Sequence, residues 1–126
     1  MPKVERGGCV WLVSGAIACA ILAVPAFAAD PIHGKELFVA CLACHTEHPD
    51  ALGPSLKAVV GRKAGSLEGF RYSNAMIRSG IIWDDSNLRD YLRDPQAKVR
   101  GNHMPFSGFA NASDADDVVA YLNSYK

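Results

Sequence analysis

Cys41-Leu42-Ala43-Cys44-His45 decides the reading of this 126-residue chain. Two thiols separated by two residues sit about one helical turn apart, so both reach the same edge of a planar group. A histidine directly after them carries an imidazole to the centre of that group. Thiols add to the vinyl groups of a haem to form thioethers, and a neutral imidazole supplies its proximal nitrogen ligand. Other uses of Cys-x-x-Cys fit poorly. A thioredoxin-type disulfide needs a strand-helix-strand setting, and none surrounds the motif. A zinc site needs four ligands, and no second cysteine pair follows.

Upstream of the motif, Lys3 and Arg6 precede an apolar run from Cys9 to Val24 and then Pro25-Ala26-Phe27-Ala28. This pattern predicts an export leader over residues 1–28, cleaved after the small-x-small site Ala26-Phe27-Ala28, with a haem-bearing domain over 29–126. The competing reading is a retained anchor, because the stretch from Cys9 to Ala29 is just long enough to span a bilayer. Cys9 and Cys19 fall in the leader, so the domain keeps only Cys41 and Cys44 and has no disulfide framework. With Lys3, Glu5 and Arg6 gone, the 13 basic and 13 acidic residues fall to 11 and 12. Near-neutrality argues against nucleic acid as a partner.

Downstream and around the motif the pattern is helical. Asp30-Pro31 reads as a helix start, with Asp30 capping and Pro31 at the first helical position. Ile32, Leu37, Phe38, Cys41 and Leu42 mark its apolar face, and this helix is expected to deliver the two thiols. Gly34 within it implies close approach of a crossing helix. Thr46 to Pro54 reads as an irregular loop, in which the Pro54 carbonyl is free to accept the proton on the far nitrogen of His45; an ordinary turn is the alternative. Leu56, Val59 and Val60 suggest a short helical turn closed by Gly61. Arg62, Tyr72 and Trp83 are donors able to meet the buried acidic groups of a haem, or simple packing and surface residues. Ser73 caps a short helix, Ile81-Ile82-Trp83 is extended, and Asp84 or Asp85 caps a helix through Arg93 that Pro95 ends. Ser113 to Asp116 reads as the cap of a last helix with Val118, Tyr121, Leu122 and Tyr125 as its stripe.

The second chemically loaded stretch is Gly101-Asn102-His103-Met104-Pro105-Phe106-Ser107-Gly108. Glycines at both ends and a central proline define a loop that presents Met104 as the second axial ligand. Met76 lies in a helical segment and reads as core filler. His103 reads as a surface residue able to replace Met104 if that ligand is displaced, and His33 and His48 as solvated.

With these landmarks in order, the chain resembles the class I cytochromes c of mitochondrial type, in their bacterial periplasmic form. Gly34-Lys35-Glu36-Leu37-Phe38, the haem motif, Gly53-Pro54-Ser55-Leu56, Val60-Gly61-Arg62, Gly69-Phe70-Arg71-Tyr72-Ser73, Trp83, Tyr91-Leu92, Asp94-Pro95 and Met104 carry the likeness. It implies an all-α fold with terminal helices crossed near Gly34 and Tyr121 around one covalently attached haem c. It implies axial ligands His45 and Met104, the Pro54 carbonyl on His45, Tyr91 beside the Met104 sulfur, and Arg62, Tyr72 and Trp83 around the propionates. Where the family has Thr-Lys before the methionine, this chain has Asn102-His103; the resemblance leaves Asn102 to bond a propionate, while the docking lysine is absent.

With both axial positions filled, iron has no place for a substrate, so the expected function is a soluble one-electron carrier and not an enzyme. Its expected setting is the periplasm, as a monomer that touches membranes only by docking or through a retained anchor. The implied partners are redox proteins: a cytochrome bc1-type complex, a terminal oxidase or a periplasmic dehydrogenase. Alternatives are an electron-accepting subunit fixed to one dehydrogenase, or a haem enzyme or gas sensor with a labile sixth ligand. A domain of about 98 residues has a modest core, which a buried porphyrin would complete. The protein without haem should therefore be largely unfolded, and a cooperative thermal transition by circular dichroism would refute this.

Overall fold

A computed structural model describes residues 27–126. The expected leader, with Lys3, Arg6, Cys9 and Cys19, lies outside these residues apart from its last two positions. Among the described residues there are five α-helices and no sheet: α1 (Pro31–Phe38), α2 (Asn74–Arg78), α3 (Asp85–Arg93), α4 (Pro95–Lys98) and α5 (Ala112–Leu122). None is long and apolar enough to cross a membrane.

The chain closes where α1 crosses α5. A methyl group on Gly34 would sit 1.9 Å from the Asp117 carbonyl oxygen, so only glycine allows the two backbones this close. One turn further on, Phe38 packs against Tyr121 and Tyr125 with ring centroids 5.1 and 5.0 Å away. The crossing thus runs from Gly34 against Asp117 to Phe38 against Tyr121. Ile32 is not on this face. It lies about 200° round the helix from Gly34 and is 74% exposed.

Asp30 caps α1 as expected, accepting from the N–H groups of Ile32 and His33. The helix ends at Phe38, however, and a 3₁₀ turn over Cys41–Ala43 presents the thiols. Residues three apart eclipse one another in such a turn, so Cys41 and Cys44 line up on one side. Ser73 and Asp84 cap α2 and α3 through the N–H groups of Met76 and Asn87. Pro95 does more than end α3: it occupies the first turn of α4, which Asp94 caps.

Two local expectations fail. Residues 55–61 form no helix, only separate turns closed by the Val59 N–H on the Leu56 carbonyl at 3.2 Å and the Arg62 N–H on the Val59 carbonyl at 3.0 Å. The Arg62 side chain donates from Nη2 to the Ser55 carbonyl at 2.6 Å and from Nη1 to the Lys57 carbonyl at 3.3 Å. Those acceptors are thereby used, and Ala58 takes a left-handed φ of 50° with its N–H on the Tyr125 carbonyl. Helix α5 starts at Ala112 rather than after Ser113, because the Asn111 carbonyl already accepts the Asp114 N–H at 3.2 Å. The extended Ile81-Ile82-Trp83 segment was correctly expected, and it pairs with 61–64: Gly61 donates to the Trp83 carbonyl at 2.8 Å and Trp83 to the Arg62 carbonyl at 2.9 Å. This pairing sets Arg62 and Trp83 side by side.

His33 is not free in solvent. Its Nδ1 lies 2.8 Å from Asp117 Oδ2, while Asp117 Oδ1 accepts the Asp30 N–H at 2.6 Å. One carboxylate therefore clasps the start of α1 to α5. The bond to Asp117 holds His33 above its ordinary 6.5, and the bonds from His33 and Asp30 hold Asp117 below 3.8. A raised histidine contributes stability in full below pH 6.5 and loses it as pH climbs through the raised value. A lowered carboxylate loses its contribution as pH falls from 3.8 through the lowered value. The clasp is strongest between these limits. Stability to urea should accordingly fall as pH is raised above 6.5, and His33→Gln should flatten that part of the profile; parallel profiles for the two proteins would remove the clasp from the account.

Candidate haem site

Two adjoining cavities of about 320 and 260 Å³ open inside the ring of helices and share Cys44, His45, Tyr72, Met76, Tyr91 and Met104 among their walls. The larger is also walled by Cys41, Pro54, Arg62 and Trp83. All nine residues singled out in the sequence for this site thus border one space. Its deep wall is apolar, with Phe38, Val59, Leu88, Leu92, Val118 and Leu122 buried. Trp83 and Tyr91 stack there at 5.0 Å between centroids.

His45 follows the 3₁₀ turn, its N–H bonded to the Cys41 carbonyl at 2.9 Å. Its Nδ1 is 2.7 Å from the Pro54 carbonyl oxygen. A carbonyl only accepts, so Nδ1 carries the proton and Nε2 keeps its lone pair. Burial lowers the imidazole below its ordinary 6.5, against the opposing pull of the Pro54 carbonyl. Gly53 makes room for the ring: a methyl group there would meet Cε1 at 2.5 Å. Burial likewise pushes the Cys41 thiol up and the Tyr91 hydroxyl up to about 12, so both stay protonated at neutral pH.

Met104 sits in an irregular stretch anchored beyond it by the Phe109 N–H on the Leu92 carbonyl at 2.9 Å. Gly108, at φ 99°, lies where a methyl group would strike the Arg93 carbonyl at 1.9 Å. Met76 is part of the core, as expected, and from α2 it also borders both cavities. His103 is exposed, as expected, beside the smaller cavity. The expectation for Asn102 fails. It is buried, its Nδ2 donates to the Pro95 and Val99 carbonyls at 2.9 Å each, and its Oδ1 accepts the Met104 N–H at 2.8 Å. No amide proton is left for a propionate. Its sequence signal was an Asx-type turn, in which Asn bonds the backbone two residues on.

The donor set fits a covalently held haem: two thiols on one side of a turn, a neutral imidazole with one free lone pair, and a thioether on the wall of the same apolar slot. The slot is walled chiefly by apolar side chains, with Arg62, Tyr72, Trp83 and Tyr91 as polar or part-polar members of its lining.

The cytochrome c family model matches residues 32–126. A cytochrome c2 from Rhodoblastus acidophilus is 45% identical over 102 residues, covering 79% of this chain and 95% of its own. A cytochrome c2 from Blastochloris viridis is 39% identical over 117 residues, covering 90% and 92%. Among solved structures, cytochrome cH from Methylobacterium extorquens superposes with a TM-score of 0.71 at 41% identity, covering 75% of this chain and 98% of its own.

The fit around His45 is checkable. Gly53→Ala should displace the imidazole from the Pro54 carbonyl and destabilise the protein by about 1–3 kcal/mol, as overpacking does. An unchanged urea midpoint would show that the ring is not held this tightly.

Proposed function

The chain belongs to the cytochrome c family, and from that premise we propose that Cys41 and Cys44 bear its haem c while His45 and Met104 are the axial ligands. The protein is an electron carrier, not an enzyme, and its cofactor is a covalently attached haem. When bound, that group supplies an iron that passes between two oxidation states with little change of shape.

What this chain contributes is preorganisation. The Pro54 carbonyl fixes the tautomer and plane of His45, and this single bond, at 2.7 Å, carries the reading. Burial keeps the same imidazole unprotonated and able to donate its lone pair. Met104, held opposite by a loop, offers a soft sulfur that favours the reduced state. The apolar wall of Phe38, Leu88, Leu92 and Val118 excludes water, so little solvent has to reorganise when charge changes. Arg62, Tyr72 and Trp83 would be the side chains offered to the acidic edge of the group, and Tyr91 the neighbour of the Met104 thioether, since all line the same cavity.

The protein works with other redox proteins. In our reading residues 1–28 direct export and are removed, and residues 29–126 act as a periplasmic monomer between a cytochrome bc1-type complex or dehydrogenase and an acceptor such as a terminal oxidase. Leu42 and Leu52, exposed near the two cysteines, form part of the face through which electrons leave.

In the oxidised holoprotein, the weak long-wavelength band of sulfur-bound iron should be present, and the reduced form should not take up carbon monoxide. Met104→Ala should abolish the band, open the iron to carbon monoxide and lower the reduction potential by roughly 0.1–0.3 V, within the span that axial ligands control. Unaltered spectra in Met104→Ala would reject Met104 as the ligand.

A further inference from the structure

Met104 lies where the chain has no regular secondary structure, and among the described residues its backbone makes one hydrogen bond, to Asn102 Oδ1 at 2.8 Å. The same side chain reaches the other way, with both amide protons on the Pro95 and Val99 carbonyls of the short α4 turn. Asn102 is 6% exposed. Its main chain is gripped as well, since Gln96 donates from Nε2 to the Asn102 carbonyl at 3.1 Å and accepts the Gly101 N–H at Oε1 at 3.1 Å. Every polar group of Asn102 thus ties the methionine strand to one fixed point.

We propose that Asn102 is a positioning residue for the iron's sulfur ligand: it latches the Met104 backbone to α4 and so sets how often the thioether leaves the metal. This rests on the reading of Met104 as the axial ligand. A thioether is a weak, neutral ligand, and its occupancy depends on the loop holding it in place. Beyond Met104, the next backbone hydrogen bond is that of the Phe109 N–H, five residues on. Without the Asn102 side chain, the Met104 N–H loses its partner and the Pro95 and Val99 carbonyls keep only the Val99 and Asn102 N–H groups, so the tie between the loop and α4 is broken and the open loop is favoured. An external ligand binds only that open form, so its apparent affinity rises in proportion to the open population. Loss of one to two net hydrogen bonds corresponds to about a tenfold rise.

The test is cyanide titration of the ferric holoprotein, read by absorption, alongside global unfolding in guanidinium followed by circular dichroism. Asn102→Ala should bind cyanide about tenfold more tightly than the parent. Asn102→Ser, whose hydroxyl can still accept the Met104 N–H, should fall between the two and serves if the alanine variant does not fold. Asp84→Ala removes the cap at the start of α3, at the other end of that helix from the Leu92 carbonyl that anchors the loop, so it should lower the unfolding midpoint while leaving cyanide affinity as it was. Parental cyanide affinity in the Asn102 variants, with only the unfolding midpoint lowered, would reduce Asn102 to a structural residue and overturn the latch. A parent protein lacking the sulfur-to-iron band would instead refute the Met104 assignment, which separates the two failures.

Discussion

Backbone contact between the first and last helices is the constraint on which the other features rest. Gly34 admits the Asp117 carbonyl to a distance that no side chain tolerates, and that crossing fixes the direction of α1. Direction matters because the 3₁₀ turn with the two thiols begins three residues after α1 ends. A tilt of the helix would swing Cys41 away from the cavity wall formed by Val118 and Leu122 of α5. The aromatic stack of Phe38 on Tyr121 and Tyr125 stiffens the same junction.

Around the cavity, backbone carbonyls are the organising groups. The Pro54 oxygen orients an imidazole, the Pro95 and Val99 oxygens hold an asparagine, and the Leu92 oxygen anchors the far end of the methionine loop. The Pro54 and Leu92 oxygens would lose their partner if the imidazole or the loop moved, and the cost of leaving such a group buried and unpaired keeps both in place, while the Pro95 and Val99 oxygens also accept the Val99 and Asn102 N–H groups. His45 and Met104 are thus both held by hydrogen bonds to their neighbours, without regular secondary structure around them.

Much of this was legible in the sequence because the decisive features are local. Cys-x-x-Cys-His announces its chemistry by spacing alone, Asp30-Pro31 and Ser73 announce helix starts, and Gly34 betrayed a crossing. Residues whose role depends on distant partners were harder. His33 looks like any surface histidine until Asp117, 84 positions away, is brought to it. Leu56, Val59 and Val60 have helical spacing, but a guanidinium takes the carbonyls a helix would need, and periodicity carries no trace of that competition. Asn102 was assigned by likeness to a family whose residue at that point differs, and the likeness misdirected its side chain.

Arg62 has a consequence beyond shaping its own loop. The turn it braces hangs on the Ser55 and Lys57 carbonyls, main-chain acceptors that carry no titratable proton. The clasp of His33 on Asp117 is built instead from two titratable side chains. The chain therefore combines a joint whose partners can gain or lose protons with one anchored on main-chain oxygens, and the latter borders the cavity lined by His45 and Met104.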